Sequence, residues 1–137
     1  MRILAAVAII AIISSAYPAA AEQPTQQVVF VCEHGVVKSQ MATSYFNELA
    51  EQRKLPWRAV SRGSAPDSKQ KIDAADVAGA ARVVAIGANL PADVPADEQR
   101  LERWDDVPPA STNYDAARRA LKARVAELLE RLSRESH

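Results

Sequence analysis

Residues 27–39 read QVVFVCEHGVVKS, and this stretch decides the fold. Val28, Val29, Phe30 and Val31 form an unbroken β-branched and aromatic run, the pattern of a strand buried on both faces of a parallel sheet. Beyond the next eight residues, Met41, Ala42, Tyr45, Phe46 and Leu49 recur at three- and four-residue spacing, which predicts an apolar helical face from Ser39 to Gln52. The segment between is then a loop leaving a buried strand and opening a helix. Such a loop aims several backbone N–H groups at one point, where the helix dipole adds about half a positive charge. An anion fits there. Cys32 stands at the head of the loop as a candidate nucleophile, the same field favours a negatively charged sulfur, and Lys38 can add a full positive charge. Ser39 can cap the helix or donate to the sulfur.

The rest of the chain continues the alternation. Lys54-Leu55-Pro56 ends the first helix, Trp57 to Ser61 reads as a second strand, and Gly63 with Ser64 to Asp67 closes it. Asp73 to Ala80 is a short helix with acidic residues at its start and a glycine near its end. Arg82 to Ile86 is a third buried strand, residues 87–99 are a loop, and a short fourth strand is expected near Leu101 to Trp104. From Asn113 onward, Ala117, Leu121, Val125, Leu128, Leu129 and Leu132 form the stripe of a closing amphipathic helix whose charged side faces solvent. Strands alternating with helices imply right-handed crossovers, a mainly parallel α/β sheet, and a ligand at the carboxyl ends of its strands.

Composition narrows the chemistry. The 137 residues suit one domain, and 17 basic against 17 acidic residues give no global field for nucleic acid. One cysteine excludes an intramolecular disulfide, and two histidines offer no ligand cluster, so no metal and no cofactor are expected. Residues 1–21 are read as an export signal: Arg2, the apolar run from Ile3 to Ile13, and Ala19-Ala20-Ala21 before Glu22. The apolar run is shorter than the roughly 20 residues a spanning helix needs, and Pro18 interrupts the segment. The expectation is an exported, periplasmic domain over 22–137, free of the membrane after cleavage; an uncleaved signal would tether it instead.

Cysteine, five residues, a basic residue and serine directly after the first strand resembles the signature of low-molecular-weight protein tyrosine phosphatases and their arsenate reductase relatives. Cys32-Glu33-His34-Gly35-Val36-Val37-Lys38-Ser39 fits it with lysine where the family has arginine. The continuation Gln40-Met41-Ala42, the run Ser61 to Pro66, Ala75 to Gly87, and Trp104 to Ala117 are similar too, so the resemblance spans nearly all of residues 27–132. It implies a flavodoxin-like fold with a four-stranded parallel sheet. It also implies attack by the cysteine on phosphorus or arsenic, with phosphate, arsenate or a similar oxyanion held by loop residues Glu33, His34, Gly35, Val36 and Val37. Cys32, Lys38 and Ser39 carry over as catalytic residues.

Four departures qualify this. Lys38 is a point charge without the planar fork that fixes two oxygens. The family's late aspartate, the leaving-group acid, aligns with Pro108, so Asp106, or Asp105, is the expected displaced acid. Gly35 replaces a loop asparagine, and Glu33 places beside the nucleophile a carboxylate that opposes a charged sulfur unless it points outward. The chain is also shortened between Asp67 and Asp73, where relatives carry a further helix, which predicts one exposed flank of the sheet or a partner upon it. With Cys32 alone, an arsenate reductase cycle would need an external thiol or redox protein. His34 either tunes Cys32, orients substrate or faces solvent; Trp104 either lines a substrate slot or packs, as does Trp57; and Tyr114 is expected to staple the last helix. The leading reading is a phosphatase-like enzyme acting on a phosphate monoester such as phosphotyrosine through a cysteinyl-phosphate. The others are a single-cysteine arsenate reductase and a degenerate domain that binds an oxyanion or protein partner without turnover.

Overall fold

The computed structural model describes residues 25–135; the export signal read in residues 1–21 lies outside them. Strand β1 (Gln26–Cys32) runs up the middle of a four-stranded sheet, followed by α1 (Lys38–Gln52) and β2 (Trp57–Gly63). Then come α2 (Ala74–Gly79), β3 (Ala80–Ile86), β4 (Leu101–Trp104) and α3 (Tyr114–Glu135). The order across the sheet is β2-β1-β3-β4 and every pairing is parallel. This is the parallel α/β sheet the alternation predicts, in the flavodoxin-like form the resemblance implies, with a strand at each predicted place.

Two-residue periodicity within β1 sorts the core into two layers. Val28 and Phe30 face α1 and α3, joining Ala42, Phe46, Leu121, Val125 and Leu128 in one cluster. The ring of Phe30 sits edge-on to Phe46, with centroids 5.9 Å apart, and 5.6 Å from Trp104. Trp104 is wholly buried and Trp57 nearly so; both are packing residues, and Trp104 lines no substrate slot. Val29 and Val31 point to the opposite layer.

That second layer corrects one expectation. The shortened segment does not leave the sheet bare: Val29 and Val31 have no exposed surface, because Ile72, Val77 and Val94 lie over them. Val94 comes from the irregular segment after β3, so a loop supplies part of the apolar cover on the flank expected to be exposed or left to a partner. Lys71 also bridges to Gly63, and the N–H of Ile72 donates to the Gly63 carbonyl at 2.9 Å, drawing the short connection along the edge of β2.

Local chemistry fixes the ends. Asp73 and Asp76 form a reciprocal capping box at α2, each carboxylate accepting the other's backbone N–H at 2.8 and 3.1 Å. Ala80, read as the last helical residue, instead begins β3. Asn113 caps α3 by accepting the N–H of Ala116 at 3.0 Å. At the end of α1, Lys54 takes a left-handed φ of 55°, turning the chain into β2.

Candidate active site

Cys32 is the last residue of β1, at the carboxyl edge of the sheet where the switch between β2 and β3 opens a crevice. Its carbonyl accepts the N–H of Ser64 at 3.0 Å, while the Glu33 carbonyl accepts the N–H of Ala65 at 2.7 Å and the Ser68 hydroxyl at 3.1 Å. These bonds pin the loop to the chain leaving β2 and turn its carbonyls that way. The backbone N–H groups of Glu33 to Val37 find no acceptor among the described residues. The helix entrance is equally open: Val37 is the N-cap, no side chain caps it, and the first turn of α1 holds no acidic residue. A group of donors with a positive dipole behind it makes a cradle suited to an anion.

Gly35 is the residue that lets the loop close. It has φ 69°, and a Cβ there would stand 2.7 Å from the Gly63 nitrogen and 2.8 Å from the Arg62 carbonyl carbon. Gly63 answers from β2, where a Cβ would meet the His34 carbonyl carbon at 2.9 Å. Glycine takes this left-handed turn without strain and leaves room for the β2 backbone that any Cβ would strike.

The sulfur of Cys32 is bonded to the Ser39 hydroxyl at 3.1 Å, and Ser39 is fully buried. The Cys32 thiol is the donor and the Ser39 hydroxyl the acceptor, and Ser39 does not cap α1, whose N-cap is Val37. A cavity of about 410 Å³ opens above the sulfur, with Glu33, His34, Val36, Val37 and Lys38 on one wall and Gly87, Pro109, Ala110 and Ser111 on the other. Lys38 is half-buried, reaches toward Gly87, and pairs with no carboxylate among the described residues. Sequence reasoning missed the part played by Gly87. Its φ of 59° turns the chain at the end of β3, and a Cβ there would stand 3.0 Å from the lysine Nζ. The signal was a glycine immediately after a buried strand.

Asp106 does not reach this cavity. It is an exposed carboxylate bound to Arg124 on α3, and the hydrogen bond from that guanidinium holds its carboxyl below the usual range. A carboxyl that holds its proton less readily, facing away, is a poor donor to a leaving group. Asp105 is exposed and also absent from the lining. The register of β4 explains this: Trp104 must point into the core, and the turn after it sends the two aspartates toward solvent and α3. The wall where the acid was expected is Pro109, Ala110 and Ser111.

Glu33 is the one carboxylate on the cavity wall among the described residues. Its Oε1 lies 3.8 Å from His34 Nε2, and His34 Nδ1 lies 3.9 Å from Asp67 Oδ1, so the imidazole stands between two acids. Tyr114, expected to staple the last helix, is 53% exposed and borders a shallow groove with Val36, Val37 and Met41.

No protein-family model and no curated protein matches the sequence. Solved structures do match. YfkJ from Bacillus subtilis superposes with a TM-score of 0.70 at 17% identity, over 84% of this chain and 99% of that one. A low-molecular-weight protein tyrosine phosphatase from T. tengcongensis gives 0.65 at 20% identity, over 77% and 99%. A thioredoxin-dependent arsenate reductase from Corynebacterium glutamicum gives 0.65 at 15%, over 82% of this chain and 64% of that one. The chain thus has the fold shared by low-molecular-weight protein tyrosine phosphatases and arsenate reductases.

Proposed function

We propose that this domain is a cysteine-dependent phosphatase acting on a phosphate monoester such as an aryl phosphate. The observation that carries the reading is the meeting, around one cavity, of Cys32 with its bond to Ser39, the loop of residues 33–37 and a lysine that pairs with no carboxylate among the described residues. The dianionic ester sits among the amides with Lys38 as counter-charge, and Ser39 donates to the sulfur as it becomes charged. The sulfur attacks phosphorus, the bond to the leaving oxygen breaks, and the cysteinyl-phosphate is released by water. Lysine holds the oxyanion by charge without fixing two of its oxygens, so binding is retained better than turnover. The similar structures, a tyrosine phosphatase and an arsenate reductase among them, support the class of chemistry.

Two other readings have observations behind them. The solitary cysteine fits an arsenate reductase that passes its adduct to an external thiol or redox protein. The lysine substitution and the engagement of Asp106 by Arg124 fit a domain that binds an oxyanion without turnover. We also propose that the domain is exported and acts in the periplasm, on the strength of the pattern in residues 1–21.

One experiment separates the three. Protein beginning at Glu22 is assayed with p-nitrophenyl phosphate, and with arsenate plus a thiol reductant, beside Cys32→Ser and Lys38→Arg. Phosphatase turnover abolished by the first substitution and raised by the second is the expected result. Arsenate-dependent thiol consumption alone selects the reductase. Phosphate binding with no turnover in any variant selects the binding domain.

A further inference from the structure

Cleaving a phosphate monoester needs a proton for the leaving oxygen, and hydrolysing the thiol adduct needs a base for water. In this fold the expected donor is engaged elsewhere, since Asp106 is ion-paired to α3 outside the cavity. The Cys32 sulfur is the attacking atom and Lys38 the counter-charge, which leaves Glu33 and His34 as the titratable groups on the cavity wall. We infer that Glu33 is the acid–base residue of this site, with His34 and Asp67 behind it as positioning residues. The role rests on the phosphatase reading above.

The geometry orders the three groups. Glu33 is next in the chain to the nucleophile, and its backbone is fixed by two bonds to its carbonyl, from Ala65 and from the Ser68 hydroxyl. Its side chain is largely exposed while the Cys32 sulfur is buried, so an oxygen displaced away from the sulfur would leave toward the solvent side on which Glu33 stands. His34 Nε2 lies 3.8 Å from Glu33 and its Nδ1 3.9 Å from Asp67, ion-pair distances at which a protonated imidazole can hold the glutamate in place. In the first step the Cys32 sulfur, as the thiolate, forms the bond to phosphorus. The leaving oxygen takes the electron pair of the breaking P–O bond and a proton from the Glu33 carboxyl. In the second, the Glu33 carboxylate takes a proton from water, the water oxygen bonds to phosphorus, and the S–P electron pair returns to sulfur. The carboxyl is restored and inorganic phosphate leaves.

The test compares wild type, Glu33→Gln, Glu33→Ala, His34→Gln and Asp106→Asn on p-nitrophenyl and phenyl phosphate, with phosphate binding followed by ³¹P NMR. Glu33→Gln is expected to bind phosphate as wild type does and to release a stoichiometric burst of p-nitrophenol. Its steady turnover should then fall roughly 10²-fold or more. The loss should be larger for phenyl phosphate, whose leaving group is the stronger base, and acetate should restore part of the activity of Glu33→Ala. Asp106→Asn should match wild type, and His34→Gln should show a smaller loss of the same leaving-group dependence. Wild-type turnover of both esters by Glu33→Gln, or loss in Asp106→Asn instead, overturns the assignment. A wild-type protein that binds phosphate yet never carries a phosphoryl group on Cys32 overturns the phosphatase reading and this role with it. That outcome is distinct from a mere indifference to Glu33.

Discussion

Replacing Gly35 by alanine should injure the domain twice, and both injuries can be sized from the structure. The residue holds φ 69°, where an L side chain costs roughly 1–2 kcal/mol. The new Cβ would also approach the Gly63 nitrogen to 2.7 Å and the Arg62 carbonyl carbon to 2.8 Å, contacts with backbone that no rotamer can relieve. Overpacking of this kind costs about 1–3 kcal/mol, giving a total of about 2–5 kcal/mol. For a domain of this size that lowers the melting temperature by roughly 8–20 °C. Gly79→Ala is the internal control. Nothing lies within 4 Å of a Cβ at Gly79 and its φ is unremarkable, so it should be neutral or stabilise by about 0.4–1 kcal/mol. Thermal denaturation of the two variants beside wild type, with phosphate titrated into each, measures both effects. If Gly35→Ala melts within about 2 °C of Gly79→Ala, the close approach of loop and β2 is not what shapes the cradle. If it destabilises yet binds phosphate as tightly as wild type, the cradle does not depend on that approach.

Removing the charge of Lys38 with methionine should weaken phosphate binding by about 1.5–3 kcal/mol, or roughly 10- to 150-fold, measured by calorimetric titration. Ser39→Ala removes the sulfur's partner, and alkylation of Cys32 by iodoacetamide at neutral pH should slow by roughly 2- to 10-fold, with little change in fold. Phe30→Ala opens a void between Phe46 and Trp104 and should cost about 3–5 kcal/mol in denaturant unfolding. Because Arg124 depresses the Asp106 carboxyl, the stability from this pair is present above the ordinary aspartate range and is lost as pH falls through the lowered folded value. Asp106→Asn should remove that acid-side component of the pH–stability curve, while wild-type turnover at neutral pH is retained.

Most of the architecture was legible in the chain because it is written in local periodicity. An apolar run without alternation and rich in β-branched residues, Val28 to Val31, is the pattern of a strand covered on both faces, and six apolar residues at helical spacing turn one side of α3 inward. The loop between Cys32 and Ser39 followed from the same reasoning, since a buried strand entering a helix exposes amides at a predictable place. What the chain could not disclose was where its irregular segments lie. Apolar residues outside any repeat, such as Ile72 and Val94, carry no sign of which surface they will cover, and only the folded chain shows them closing the second face of the sheet. The fate of Asp106 was hidden for a similar reason. Its direction is set by the demand that Trp104 be buried and by an arginine 18 residues away that the last helix brings alongside. Sequence alone fixed which residues could do chemistry at the head of α1. Which of them share a cavity was decided by long-range packing, because distances between loops depend on elements that no local pattern encodes.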